Sequence, residues 1–334
     1  MKNILIINTG GTIGSHEENG VISSEKGKCR ILELYNEAFP GSQTEFTTVE
    51  PYNILSENLE TLHWEMLIHF IISIDKSCYD GIIITHGSDT LSYTSAMLGM
   101  CLHNLGIPIV ITASDYVPDH PQSNALDNFS ASVKLINNCH NGVYTVYKNR
   151  NDNSARVFIP TRMQEADRFN DRFSETDGLP FGFINNEGCQ DILCKIRHTE
   201  NKTNSLELSS LRFSKNVLSV HPYPSINWEK ITPDDNTGAV LLITYHSGTV
   251  PEKAEFLLEK CLENKIPLFL CSLKKSSKAI YETSSNLLKK GALPLYNMST
   301  ESAYAKLLLA VNLSQDNIAE FMKKDIYFET IQPE

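Results

Sequence analysis

The feature that most constrains the fold is a short apolar run, Ile4-Leu5-Ile6-Ile7, followed at once by Asn8-Thr9-Gly10-Gly11-Thr12. An unbroken apolar run of this length predicts a parallel strand that is buried on both faces. Two adjacent glycines allow backbone angles barred to other residues. Ligands of open α/β sheets bind beyond the carboxyl ends of the strands. Thr12 is therefore a candidate nucleophile, or alternatively a residue that only caps a tight turn.

A second run, Gly81-Ile82-Ile83-Ile84-Thr85, has the same design and ends in His86-Gly87-Ser88-Asp89-Thr90. A helix-like segment follows from Leu91. Ser, Asp and Thr are preferred helix N-caps, so these residues could serve the helix alone. Two strand ends that both carry hydroxyl groups also fit a site that attacks an amide and holds a small charged substrate.

The rest of the chain alternates strands with helices, which predicts an α/β fold. We expect a doubly wound, mainly parallel sheet in a larger N-terminal domain over 1–190. A polar linker over 191–234 and a smaller α/β C-terminal domain over 235–334 follow. Helices are predicted over 124–135 and 252–263, around Leu62, Met66 and Phe70, and near the C-terminus. The polar segment 15–27 is predicted to be a mobile loop.

Composition restricts the partners. The 334 residues are 41% hydrophobic and 21% charged, and the formal net charge is −11. This balance predicts a globular protein that binds neither nucleic acid nor a membrane surface. No apolar stretch of about 18 residues would span a bilayer. The eight cysteines form no C-x-x-C pair, which favours reduced thiols in a cytoplasmic protein over a zinc or disulfide site.

Other ligand motifs are missing from the sequence. The Thr9 to Gly14 segment lacks the Gly-Lys-Ser/Thr end of a P-loop and the G-x-G-x-x-G of a dinucleotide fold. His63 and His69 do not have the i, i+4 spacing of a zinc-protease helix. We therefore expect neither a metal nor an organic cofactor.

The two motifs Thr9-Gly10-Gly11-Thr12-Ile13 and His86-Gly87-Ser88-Asp89-Thr90 together resemble the signatures of the bacterial L-asparaginase/glutaminase family, of the cytoplasmic type I branch. The resemblance implies that Thr12 is the nucleophile, that Ser88 positions the attacking group or water, and that Asp89 holds the substrate's α-amino group. It also implies a homodimer or homotetramer. The remaining residues that it implies are Arg162 as a catalytic group and Ser56, Glu57, Gly87 and Ser114 as substrate-binding groups.

Several positions depart from the family pattern. Arg162 stands where the family has a catalytic lysine, and arginine stays protonated, so it offers only charge and directional hydrogen bonds. Glu57 replaces an uncharged residue and favours a more cationic ligand. Val21 stands where the family's lid carries a tyrosine. Asp115 alters the pocket wall, and the segment His246-Ser247-Gly248-Thr249 replaces a Gly-rich one.

Three functions remain open from the sequence. The leading one is an amidohydrolase that converts L-asparagine to L-aspartate and ammonia. The second is a related amidohydrolase with a shifted amide substrate, favoured by Glu57 and Asp115. The third is a catalytically impaired binding or regulatory protein, favoured by Arg162.

Overall fold

The computed structural model describes residues 2–18, 21–23, 30–138, 141–176, 178, 180–185, 188–191, 206–274 and 279–331. The chain divides into two compact units, Met1–Leu208 and Ser209–Glu334. The predicted linker over 191–234 stays a prediction, since residues 192–205 lie outside the described part of the chain.

The strands of the first unit are β1 (Lys2–Asn8), β2 (His16–Glu18), β3 (Val21–Ser23), β4 (Thr44–Val49), β5 (Gly81–Thr85), β6 (Pro108–Thr112), β7 (Gly142–Tyr147), β8 (Ala155–Phe158), β9 (Met163–Gln164), β10 (Ser174–Glu175), β11 (Gly182–Asn185) and β12 (Gly188–Asp191). Its helices are α1 (Arg30–Ala38), α2 (Thr61–Ser73), α3 (Leu91–Leu102) and α4 (Ala125–Asn138).

Within the described residues, eight of these strands form one sheet in the order β12-β11-β8-β7-β6-β5-β1-β4. The five neighbouring strands β4, β1, β5, β6 and β7 run parallel to one another. The pairs β7–β8, β8–β11 and β11–β12 are antiparallel. Every residue of β5 and β6 is buried, as is β1 from Ile4 to Asn8. The predicted α/β fold with a large, mainly parallel sheet is confirmed. Because β1 and β5 are neighbours, their carboxyl ends meet at one edge.

Two predicted segments of the first unit have features that the sequence did not specify. Helix α2 exists, but Leu62 and Met66 are exposed while Trp64, Leu67, Ile68 and Ile71 form its buried face. The helix is apolar on several sides, so spacing alone does not identify the face that packs. The predicted loop over 15–27 contains an antiparallel pair, β2 with β3, and residues 19–20 and 24–27 lie outside the described residues.

The second unit has its own core. Its strands, all parallel and adjacent in chain order, are β13 (Asn216–Val220), β14 (Thr237–Ile243), β15 (Leu268–Leu273) and β16 (Leu293–Tyr296). Its helices are α5 (Glu255–Glu263), α6 (Glu282–Lys289), α7 (Thr300–Leu313) and α8 (Ile318–Lys323). Among the described helices of either unit, none has the length and apolar character needed to cross a bilayer.

Candidate functional site

The turn after β1 carries Thr12. Gly10 and Gly11 have φ angles of +103° and +74°, which only glycine adopts without strain. The Gly11 N–H donates to the Ile54 carbonyl over 3.1 Å, and the Ile54 N–H donates to the Thr9 carbonyl over 3.1 Å. Thr12 then opens a short 3₁₀ turn, Thr12–Gly14, and is half-buried. The turn is therefore fixed by backbone bonds and leaves the threonine reachable from solvent.

The side chain of Asn8 clamps this turn to the neighbouring strand. Its Oδ1 accepts from the Gly10 N–H at 3.3 Å and from the Thr85 hydroxyl at 2.9 Å, and its Nδ2 donates to Glu50 at 3.0 Å. The Thr9 hydroxyl donates to the Thr85 carbonyl at 2.8 Å. Sequence reasoning assigned no role to Asn8. Its one signal was a polar residue at the end of an apolar run.

The second strand end supplies Ser88 and Asp89. Ser88 is half-buried and Asp89 is exposed. Helix α3 begins after them, with Thr90 as its N-cap, yet no side chain caps the helix there. Instead the Thr90 hydroxyl donates to the Ser56 carbonyl at 3.0 Å. The interpretation of this segment as a helix cap therefore accounts for the position of Thr90 but not for its hydroxyl.

Three segments meet at this edge of the sheet. A Cβ added to Gly11 would lie 2.3 Å from the Gly87 nitrogen, and one added to Gly87 would lie 2.3 Å from the Ser56 Oγ. The Ser56 hydroxyl donates to Asp89 Oδ2 at 3.3 Å. The structure thus brings together the turn that holds Thr12, the Gly87–Asp89 segment and Ser56. Only glycine fits at the two points of contact.

Glu57 and Ser114 are placed differently. Glu57 lies exposed beside Ser56 on the 3₁₀ turn Ser56–Asn58. Ser114 is buried, and its hydroxyl donates to the carbonyl of Tyr116 at 2.7 Å, so that hydrogen is already engaged within its own loop. Asp115 accepts from the backbone N–H groups of Tyr116 and Asn124 and so stabilises the same loop. Substrate binding by Glu57, Gly87 and Ser114 stays a prediction.

Arg162 ends a third 3₁₀ turn, Pro160–Arg162, and is half-buried. The Thr176 N–H and hydroxyl both donate to its carbonyl, at 2.9 and 3.0 Å, which fixes the backbone of the turn. The turn packs against α3, the helix that follows Ser88 and Asp89. A catalytic role for Arg162 remains a prediction.

His86 is a residue that the motif contained but for which sequence reasoning gave no role. Its ring is 2% exposed, with Nδ1 2.8 Å from the Gly87 carbonyl oxygen and Nε2 3.0 Å from the Thr94 hydroxyl. Burial lowers the pKa of His86 to about 4, because an imidazolium would lose its hydration there. The imidazole is therefore neutral at physiological pH.

The chemistry open to this arrangement is acyl transfer. The Thr12 hydroxyl has no hydrogen-bond partner within the part of the chain that the structure describes, so it is free to meet a carbonyl carbon. The described residues include no group of three or more His, Cys, Asp or Glu side chains arranged to hold a metal ion.

Comparison with known proteins identifies relatives over most of the chain. A family model described as "Asparaginase, N-terminal" matches residues 3–176. A glutamyl-tRNA(Gln) amidotransferase subunit of Methanobrevibacter smithii is 28% identical over 97% of this chain and 76% of its own length. The subunit of the same name from Pyrococcus abyssi is 26% identical over 97% and 75%.

Solved structures show the same fold. The thermostable L-asparaginase of Thermococcus kodakarensis matches with a TM-score of 0.78 at 20% identity, over 99% of this chain and 100% of that one. The L-asparaginase I of Vibrio cholerae matches with a TM-score of 0.77 at 23% identity, over 99% of each chain. At this identity the likeness establishes the fold alone.

The expectation that nucleic acid is excluded as a partner is wrong. The curated relatives include subunits of an enzyme that is named for a tRNA. The expectation rested on a net charge of −11, which describes the average field of the molecule. A local basic surface or another subunit can contact RNA in spite of that average.

The family assignment rests on the matched segment. Residues 3–176 make up more than half of the chain and contain both strand ends, the Ser56 segment and the Arg162 turn. This chain therefore belongs to the asparaginase family.

Proposed function

We propose that this protein is an amidohydrolase that releases ammonia from a side-chain amide, with glutamine as the preferred donor. The convergence of Thr12 and Ser88 at one edge of the sheet carries the proposal, because amide hydrolysis needs a nucleophile and donors on opposite sides of one carbonyl. The relatives named amidotransferases support the shifted amide substrate over asparagine itself, since such an enzyme needs a nitrogen donor.

The reaction has two halves. The Thr12 Oγ attacks the amide carbonyl and loses its proton, and the C–N bond then breaks as the nitrogen takes a proton and leaves as ammonia. Water next attacks the resulting ester, which frees the carboxylic acid and restores the hydroxyl. Backbone N–H groups beside Thr12 and Ser88 stabilise the negative oxygen in each half.

The neighbouring side chains hold the rest of the substrate. Asp89 binds the α-amino group as a charged acceptor, and Ser56, which already donates to Asp89, orients that carboxylate. Arg162 supplies positive charge without exchanging a proton. Glu57 lies exposed beside Ser56 and disfavours a substrate with extra negative charge at this side.

The experiment is an ammonia-release assay with L-glutamine, L-asparagine and small peptide amides at matched concentrations. We expect turnover, with kcat/KM highest for glutamine. A clear preference for free asparagine would contradict the assignment of glutamine as the preferred substrate and favour the hypothesis that the protein is an L-asparaginase. No turnover of any amide would overturn the enzyme proposal and leave the impaired binding protein as the better account.

A second candidate function follows from the names of the relatives. The chain would act as the amide-hydrolysing subunit of an amidotransferase that works on a charged tRNA. A mobility-shift titration of the purified chain with tRNA, repeated at rising salt, tests direct contact. Binding that weakens with salt supports the candidate, and no binding at low salt would count against direct contact by this chain.

A further inference from the structure

A line of buried polar groups leads from the core to the backbone of the candidate site. The Trp64 indole Nε1 lies 2.9 Å from the Thr94 hydroxyl, which lies 3.0 Å from His86 Nε2, and His86 Nδ1 lies 2.8 Å from the Gly87 carbonyl oxygen. The three side chains are 4%, 0% and 2% exposed. Water therefore cannot substitute for any of these bonds.

The two ends of the line determine the direction of every bond. The Trp64 indole N–H can only donate and the Gly87 carbonyl can only accept. The His86 ring must therefore carry its hydrogen on Nδ1, facing that carbonyl. The Thr94 hydroxyl, which accepts from Trp64, is then free to donate its one hydrogen to His86 Nε2. With the hydrogens placed in this way, every donor and acceptor in the line from Trp64 to Gly87 has a hydrogen-bond partner.

This arrangement fixes the peptide between Gly87 and Ser88. Among the described residues, the only cis peptide is Cys271–Ser272, so this one is trans and its C=O and N–H point in opposite directions. With the carbonyl held by His86, the Ser88 N–H points away from the core. No described group accepts a hydrogen bond from it. The preceding peptide, between His86 and Gly87, packs against Gly11, which is next to Thr12.

We propose that His86, as the neutral Nδ1–H tautomer set by Trp64 and Thr94, is a positioning residue that aims the Ser88 N–H at the substrate's carbonyl oxygen. The inference deepens the proposed function and rests on it. A histidine that was merely satisfied in the core would make the same bonds without any effect on turnover, and the experiment separates the two roles.

The variants are chosen by shape. His86→Asn places an amide N–H near the position of Nδ1 and keeps a donor for the Gly87 carbonyl. His86→Leu has a similar size and no donor. Thr94→Val removes the hydroxyl that sets the tautomer. Thr145→Val is the control, because it removes another buried hydroxyl bonded to α3, through Ser95 at 2.8 Å.

We expect His86→Leu to lower kcat for glutamine by about 10- to 100-fold, a decrease no larger than that caused by removing an oxyanion donor outright. KM should stay within about twofold of the wild-type value. The kcat of His86→Asn should be about tenfold higher than that of His86→Leu. The kcat of Thr94→Val should lie between those of His86→Leu and wild type, and the kcat of Thr145→Val should stay within about twofold of wild type. Equal kcat in the Leu and Asn variants, or a Leu variant as active as wild type, would overturn the inference. If the Leu variant does not fold, the Thr94→Val and Asn results decide.

Nuclear magnetic resonance supplies a readout that does not depend on turnover. The imidazole ¹⁵N spectrum of wild type should show His86 as the neutral Nδ1–H tautomer between pH 6 and 8, and the Ser88 amide resonance should move in the Leu variant and not in the Asn variant. An Nε2–H tautomer or an imidazolium would refute the inference even in an active enzyme. If wild type hydrolyses no amide, the proposed function fails, while these resonances still decide whether His86 orients this peptide.

Discussion

At the scale of single residues, the candidate site depends on groups whose partners are already determined. Asn8 holds the Thr12 turn through the Gly10 N–H and the Thr85 hydroxyl, and His86 holds the Gly87 carbonyl. The Thr12 hydroxyl has no hydrogen-bond partner among the described residues, although the Thr12 carbonyl accepts from the Ser15 N–H. A free hydroxyl surrounded by groups that are already hydrogen-bonded suits nucleophilic catalysis, because those groups need not reorganise during the reaction.

The neutral state of His86 predicts a pH dependence of stability. Its folded pKa of about 4 lies below the value of 6.5 for a free histidine, so the unfolded chain binds more protons between these values. The stabilisation linked to neutral His86 is therefore fully present above pH 6.5 and is lost as the pH falls towards 4. Over this range the free energy of unfolding should decrease by on the order of 3 kcal/mol. Urea unfolding of wild type and His86→Asn at pH 7 and 4.5 measures it.

In that experiment the free energy of unfolding should fall more steeply with acid in wild type than in His86→Asn. His221→Asn, a change at an exposed histidine, is the control and should follow wild type. If the free energy of unfolding falls equally with acid in wild type and His86→Asn, then protonation of buried His86 does not destabilise the folded protein as predicted.

At the scale of elements, the site is a contact between two strand ends. The turn after β1 and the segment after β5 touch at Gly11 and Gly87, and the 3₁₀ turn of Ser56 closes the third side. Neighbouring parallel strands place their carboxyl ends at the same edge, which is where open α/β sheets bind ligands. The glycines set how closely the two ends approach.

Gly11→Ala tests this contact, with Gly106→Ala as the matched control. Both glycines have a positive φ, +74° and +93°, but a Cβ at Gly106 meets nothing within 4 Å. We expect Gly106→Ala to cost about 1–3 kcal/mol of backbone strain with turnover retained. Gly11→Ala adds a clash with Gly87 and should lose turnover by at least about 100-fold. Equal activity in the two variants would show that close approach is unnecessary. Unfolding curves measure the stability of the two variants, and ammonia release measures their turnover.

The sequence indicated the elements whose signal is local. The apolar runs before Gly10 and Gly87 predicted buried parallel strands, which the structure confirms. The hydroxyl groups after these strands predicted a candidate site, and the roles of its residues stay predictions. The spacing of Leu62, Met66 and Phe70 predicted helix α2 but did not identify its packed face, because the helix is apolar around much of its circumference. The roles of Asn8 and His86 were missed because they depend on Thr85 and on Thr94 and Trp64, residues that only folding brings near. The family resemblance supplied the residue roles, which spacing alone does not give.

At the scale of the whole molecule, the second unit contains a buried ion pair that joins α7 to the segment after α8. Lys306 Nζ lies 2.7 Å from Glu329 Oε1, and both side chains are fully buried. Lys306 also donates to the Met322 and Lys324 carbonyls, and Glu329 accepts from two backbone N–H groups. Burial raises the pKa of Glu329, but Lys306 and these N–H groups outweigh it, so the net pKa is lowered.

Breaking this pair should destabilise the second unit strongly. Lys306→Met and Glu329→Gln each leave a buried group without its partner and should cost about 3–5 kcal/mol, whereas the double variant should cost less than the sum. Lys323→Met, which breaks the exposed pair with Glu320, should cost below about 1 kcal/mol. Denaturant unfolding of the four variants measures the coupling. Strict additivity would contradict the account.

The charge on Glu329 gives that pair its own pH dependence. Since the folded pKa is lowered, the stabilisation is present above the unfolded value of 4.5 and is lost as the pH falls through the folded pKa. The second unit should therefore become less stable at low pH in wild type, and this loss should be smaller in Glu329→Gln.

The measurement that bears most directly on the account is ammonia release from glutamine and asparagine by wild type, Thr12→Ala and Thr12→Ser. The account predicts turnover by wild type, a loss of at least about 10³-fold in the alanine variant, and partial activity in the serine variant, which keeps the hydroxyl. An alanine variant that releases ammonia as fast as wild type would contradict the claim that the hydroxyl at this strand end performs the chemistry.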